Sequence, residues 1–81
     1  MTAGGAIALL RRHAEAIRTE ELARIEGKLA ALAPEDRDAV HALTAQLVDA
    51  LLHEPTARLR QPAAGNLVEV LCGLFALDEA A

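Results

Sequence analysis

Residues 67 to 77, LVEVLCGLFAL, place apolar side chains on nearly every side of any helix they form, with Glu69 as the lone charge. A helix that is apolar all round has to be buried all round. The chain has 81 residues, enough for one small domain and no second core. A lone core of that size leaves only about 3–5 kcal/mol of net stability, so there is little material to cover such a helix from within. Each Leu or Phe left in water forfeits roughly 1.5–3 kcal/mol. The pattern therefore favours a second subunit packed on the last helix about a two-fold axis, with one patch used twice. The alternative is a monomer whose last helix lies in a groove between the first two.

No internal staple relieves this. The single cysteine, Cys72, excludes an internal disulfide, and three histidines with one cysteine do not sit at zinc-finger spacing. Abundant Ala, Leu, Glu and Arg with few Gly point to an all-α class. Net charge is −4, without the basic excess that general nucleic-acid binding requires, and Phe75 alone cannot form a stacking platform for bases. The start, MTAGGAIALLRRHAEA, lacks a seven-residue apolar core and does not read as a secretory signal. The apolar run at 67 to 77 is too short to span a bilayer. A cytoplasmic setting with Cys72 as a free thiol is expected.

Along the chain, TAGG at residues 2 to 5 reads as a flexible lead-in. Ile7, Leu10, Ala14, Ile17, Leu22, Ile25, Leu29 and Leu32 follow a helical period over about seven turns, predicting one long, nearly straight helix over residues 6 to 33. Its charges, Arg11, Arg12, Glu15, Arg18, Glu20, Glu21, Arg24, Glu26 and Lys28, read as a solvated face, with Glu20 and Arg24 in acid-first i,i+4 order. Gly27 lies in a row of small residues, Ala23, Gly27 and Ala31, open to close approach or simply exposed. Pro34 starts a second helix, with Glu35 and Asp36 at its positive end. That helix carries a Val40, Leu43, Leu47, Leu51 stripe and is expected to end near His53. Pro55 to Arg60 forms at most a short third segment before Pro62. Asn66 with Glu69 is spaced as a capping box for the fourth. Residues 34 to 78 make the helical domain and 79 to 81 a tail. The dimer interface is expected at Leu47, Leu51, Leu67, Val70, Leu71, Leu74 and Phe75.

The stretch LLHEPTAR, residues 51 to 58, begins like the zinc-protease motif H-E-x-x-H, but position 57 is alanine and Pro55 interrupts that helix. His13 and His41 have no i,i+4 partner that could share a metal. The structural reading makes His53, Glu54, Pro55 and Arg58 a corner. His53 suits the negative helix end, Glu54 is pushed out of the helical region by Pro55, and Arg58 is four residues from Glu54. Cys72 has no His, Lys or Arg within a turn to activate it and reads as a small core residue. No catalytic, cofactor-binding or metal site is assigned.

The string LTAQLVDALLHEPTARLR at residues 43 to 60, with LFALDE after it and IRTEELARIEGKLAAL and APED before it, resembles the C-terminal dimerisation domain of glutamyl-tRNA reductase over residues 6 to 78. The resemblance implies a V-shaped homodimer of three-domain subunits. It also implies an N-terminal domain with a reactive cysteine, an NADPH-binding domain and a long helix leading to the helical dimerisation domain. The family's reaction yields glutamate 1-semialdehyde, a tetrapyrrole precursor. Neither the catalytic cysteine region nor the NADPH domain has a counterpart here, so NADPH is implied only for the full-length family. The family more often has Ser where Ala33 stands and a longer, aromatic-containing connection before the last helix.

The reading is an all-α, non-catalytic homodimerisation module: a small helical bundle with one long N-terminal helix, dimerising through its C-terminal helices. Its partner is a second copy or a full-length reductase. One alternative is a small intertwined enzyme of the chorismate-mutase type, with Arg11, Arg12 and Arg18 binding a dicarboxylate. Another is an adaptor touching tRNA or a regulator through Arg58 and Arg60.

Overall fold

The computed structural model describes residues 1–62 and 65–77. It contains four helices: α1, Ala3–Arg24; α2, Glu26–Ala30; α3, Pro34–Leu59; and α4, Leu67–Leu74. The all-α expectation holds. The last residue of the expected helical domain and the expected tail lie outside the described residues.

The first expected helix differs at both ends. Residues 3 to 5, read as a flexible lead-in, form the first turn of α1, because the Thr2 side chain accepts a hydrogen bond from the Gly5 N–H at 3.0 Å. That bond satisfies one of the donors every helix start leaves open. Continuity then fails at Ile25, whose backbone (φ −105°, ψ 16°) leaves the helical region. Its N–H bonds back to the Leu22 carbonyl at 3.2 Å, and the ladder resumes as α2 from the Ile25 carbonyl. A β-branched Ile two residues before Gly27 is a weak point in a helix, since Gly alone costs about 1 kcal/mol against Ala. Beyond its own helix, no atom lies within 4 Å of where a Gly27 Cβ would stand, so no other described element approaches it closely.

Helix α3 also differs. The expected corner at His53, Glu54, Pro55 and Arg58 is absent; α3 runs through Pro55 for 26 residues, and the chain turns only after Leu59. Proline inside a helix removes one ladder bond, here the one that the Leu51 carbonyl would accept, at a cost of about 3 kcal/mol. Leu52 and Leu59 are buried on either side of Pro55, so both halves of the helix are anchored. The expected Glu54–Arg58 pair forms across the proline at 3.0 Å, as an i,i+4 bridge within the helix. Pro34 does sit in the first turn of α3, with Ala33 (φ −59°, ψ 150°) in the cap position and no side-chain cap bond.

After Gly65, at φ 56° in the left-handed region that favours glycine, α4 begins without the expected capping box. Asn66 (φ −87°, ψ 8°) lacks the extended backbone that aims a capping side chain, and it makes no such bond. Helix α4 ends at Leu74, three residues earlier than expected. Leu77 N–H bonds to the Cys72 carbonyl at 2.9 Å and Ala76 N–H to the Gly73 carbonyl at 3.4 Å. This is a Schellman closure whose left-handed residue, Ala76 at φ 53°, is not glycine.

Helices α1 and α3 pack antiparallel: Arg11 meets Asp49, and Arg18 meets Thr44 and His41. Helix α4 returns along the first half of α1, bringing Cys72 Sγ to 3.4 Å from Met1 Sδ and the Phe75 ring edge-on to His13. Extents of 48 × 24 × 15 Å make the molecule elongated and flat. The radius of gyration, 15.4 Å, exceeds the roughly 11.7 Å of a compact chain this long. Burial is correspondingly thin: Ala6, Leu10, Leu29, Leu52 and Leu59 are the buried apolar residues among those described.

Two substitutions test these helix ends. Ala33→Ser supplies the missing cap of α3 and is expected to raise stability by about 1 kcal/mol in urea melts followed by circular dichroism. Ala76→Gly relieves a left-handed alanine and is expected to stabilise by roughly 1 kcal/mol in the same assay.

Candidate functional site

The uncovered side chains lie along α3 and its neighbours. Leu43, Leu47 and Leu51, at i,i+4 spacing, form an apolar ridge on α3, each more than half exposed, with Leu51 at 73 %. Such i,i+4 rows are what one helix inserts between the rows of another.

One groove flanks the ridge between the C-terminal half of α3 and α4. It has a volume of about 500 Å³ and is lined by Leu51, Pro55, Leu59, Leu67, Val70, Leu71 and Leu74, with Glu54 and Arg58 also on its wall. Leu74 is 78 % exposed, and no residue of α4 is buried. A second groove, about 540 Å³, runs between α1 and α3. Its walls are Leu10, Ala14, Ile17, Leu22 and Ile25 on one side and Val40, Leu47, Val48, Leu51 and Leu52 on the other, with Phe75 also lining it.

All seven residues expected at an interface therefore lie on these grooves and keep exposed or half-buried surface. Leu51, Leu67, Val70, Leu71 and Leu74 share the α3–α4 groove, whereas Leu47 and Phe75 line the α1–α3 groove. Sequence reasoning passed over Ile17 and Ile25, assigned to an internal stripe yet 48 % and 39 % exposed, and Leu43. The signal for Leu43 was present, since it stands in the same stripe as Leu47 and Leu51. Of the expected corner residues, Pro55 lines both grooves, Glu54 and Arg58 line one, and His53 is exposed beside Asp49 and Arg60 on another part of α3. Cys72, expected in the core, is half-buried against Met1.

Among the described residues, no group of three His, Cys, Asp or Glu is placed to hold a metal ion. Nor is any described helix long and apolar enough to cross a membrane. Exposed aliphatic surface along α3 and α4 is the feature of a helical association domain. The family model for "Glutamyl-tRNAGlu reductase, dimerisation domain" matches residues 1–77. The chain is 43 % identical over 75 residues to the glutamyl-tRNA reductase of Roseiflexus castenholzii, covering 91 % of this chain and 18 % of that protein. The enzyme of Chloroflexus aurantiacus is 40 % identical over 76 residues, covering 89 % of this chain and 18 % of its own. That of Corynebacterium diphtheriae is 39 % identical over 59 residues, covering 73 % and 14 %. No solved structure matches. The chain belongs to the glutamyl-tRNA reductase dimerisation-domain family, and it spans under a fifth of the length of these relatives.

Arg11, Arg12 and Arg24 of α1 are exposed, as their pattern suggested, whereas Arg18 is not. Arg18 is only 19 % exposed in its side chain. Its Nε donates to Thr44 Oγ1, Nη1 to Glu15 Oε2 and Nη2 to the His41 carbonyl, each at 2.9 Å. Arg11 pairs with Asp49 at 2.7 Å, and Arg24 pairs with Glu21 rather than with Glu20. A guanidinium with three internal partners clamps α1 to α3 and has little left for a dicarboxylate, which takes Arg18 out of the set the chorismate-mutase alternative uses. Arg18→Ala is expected to cost about 1.5–3 kcal/mol in urea unfolding by leaving half-buried acceptors unpaired. Arg12→Ala, at an exposed position, should stay within about 0.5 kcal/mol.

Proposed function

We propose that this chain joins two copies of a glutamyl-tRNA reductase-type subunit as a homodimer, using the apolar face made by α3 and α4. In that setting it holds neither NADPH nor a reacting group. The subunits it joins would carry out the NADPH-dependent conversion of glutamyl-tRNA to glutamate 1-semialdehyde in tetrapyrrole biosynthesis, in the cytoplasm. A full-length reductase subunit presenting the same face is an equivalent partner.

The observation that carries this reading is surface. The chain exposes 5801 Å², while a compact monomer of its mass would expose about 4,650 Å². The excess, about 1,150 Å², exceeds the roughly 800 Å² that each partner of a stable interface buries. Its α4 is uncovered in a chain whose family is defined by dimerisation. The adaptor alternative is less favoured, because Arg58 is already engaged by Glu54 at 3.0 Å.

Sedimentation equilibrium with interference detection, suited to a chain without Trp or Tyr, tests the reading. The expected result is a dimer mass at micromolar concentration. Leu74→Glu should shift it to monomer, with a loss of at least about 2 kcal/mol of association free energy. A folded wild-type chain that stays monomeric across the range contradicts the proposal.

A further inference from the structure

On the side of α1 opposite the apolar α1–α3 groove lies another groove, partly polar, that the function proposed above leaves unused. It has a volume of about 530 Å³ and runs between α1, α2 and the first turns of α3. Thr19 and Ala23 line it, whereas Ile17 and Glu21 line the apolar groove, and residues two apart point about 200° from each other around a helix. We infer that this groove binds a small organic monocarboxylate, its charge held by Arg37 and His41 and its short apolar body resting on Leu22, Leu29 and Ala30. The inference does not depend on the homodimer reading.

Arg37 is the first support. Arg11, Arg18, Arg24 and Arg58 each pair with a carboxylate, and Arg12 and Arg60 stand exposed. Arg37 is half-buried, yet among the described residues it forms no ion pair. A half-buried guanidinium has given up hydration that an anion restores, and its planar fork matches a carboxylate with two parallel hydrogen bonds.

The second is the wall around it. His41 lines the same groove one turn further along α3, at i,i+4 from Arg37, where the two side chains are neighbours. The turn that carries His41 is fixed, because its carbonyl accepts from Arg18 Nη2 and from Thr44 Oγ1, each at 2.9 Å. Arg18, with its partners taken, acts here as a brace and not as a ligand.

The remaining lining defines the ligand. Leu29 is buried, and with Leu22 and Ala30 it gives an apolar floor. The volume lies within the roughly 300–1,000 Å³ of small-molecule sites, which are apolar with a few placed polar groups. Glu26 adds one negative charge to the wall. That charge repels a second carboxylate and disfavours a doubly charged phosphate, so the groove selects one carboxylate on a short aliphatic body.

The probe is isovalerate, titrated into the isotope-labelled chain while amide NMR signals are followed. Controls are isoamyl alcohol, with the same skeleton and no charge, glutarate, with two carboxylates, and sodium chloride. Saturable shifts are expected at Arg37, His41 and Ala30 with a dissociation constant of about 1 mM. Binding should be about tenfold weaker for the alcohol and for glutarate, lost in Arg37→Gln and unchanged in Arg12→Gln. Equal shifts from sodium chloride, no saturation at tens of millimolar, or an unchanged constant in Arg37→Gln overturn the inference and leave the homodimer reading standing. Should Arg37→Gln lose helicity by circular dichroism, Arg37→Lys decides, since it keeps the charge without the fork. A constant weakened about tenfold supports the inference and an unchanged one overturns it.

Discussion

The antiparallel packing of α1 on α3 governs the rest of the structure, because two helices lying side by side make one layer, and one layer covers only a single flank of each. Domains bury their apolar faces between at least two layers. Helix α4 lies against the first half of α1 and lines a groove with the C-terminal half of α3, and none of its residues is buried, so it covers the pair only in part. The same packing decides which polar groups are satisfied. Arg18 reaches three acceptors only because Thr44 and the His41 carbonyl face it across the helix pair. The apolar surface that geometry leaves open gathers around the Leu43–Leu47–Leu51 ridge.

The helix class, the Pro34 start of α3 and the Glu54–Arg58 pair were legible because each depends on residues close in sequence. So was the need to cover α4, since an all-round apolar helix in a short chain states its own deficit. Three features were not legible. Pro55 was read as a chain break by the local rule for the residue before a proline, but burial of Leu52 and Leu59 on both sides outweighs that rule. Arg18 reads as solvated from sequence because two of its three acceptors, Thr44 and the His41 carbonyl, lie on another helix, out of view of any periodicity along α1. The interruption at Ile25 turns on one residue's backbone angles, below what an apolar stripe can show. Of the exposed apolar residues, the α3 and α4 members could be named from pattern. Ile17 and Ile25 could not, because the same stripe that marks a helix's inner face also marks a face awaiting a partner.

The family places these features in a division of labour. A region that matches a dimerisation domain is under physical demands of shape and burial. Those demands tolerate an interior proline and a left-handed alanine, each of which costs stability in isolation. In an assembly, the surface buried between chains offsets such local losses.

The exposed ridge is wholly aliphatic, and that has a thermal consequence. Apolar burial near room temperature is driven by entropy and carries a large negative heat-capacity change. Contacts made by leucine and isoleucine side chains therefore loosen on cooling, unlike ion pairs, and they respond little to added sodium chloride because no exposed charges need screening. A pair of chains joined through this ridge is held more firmly at ambient warmth than on ice.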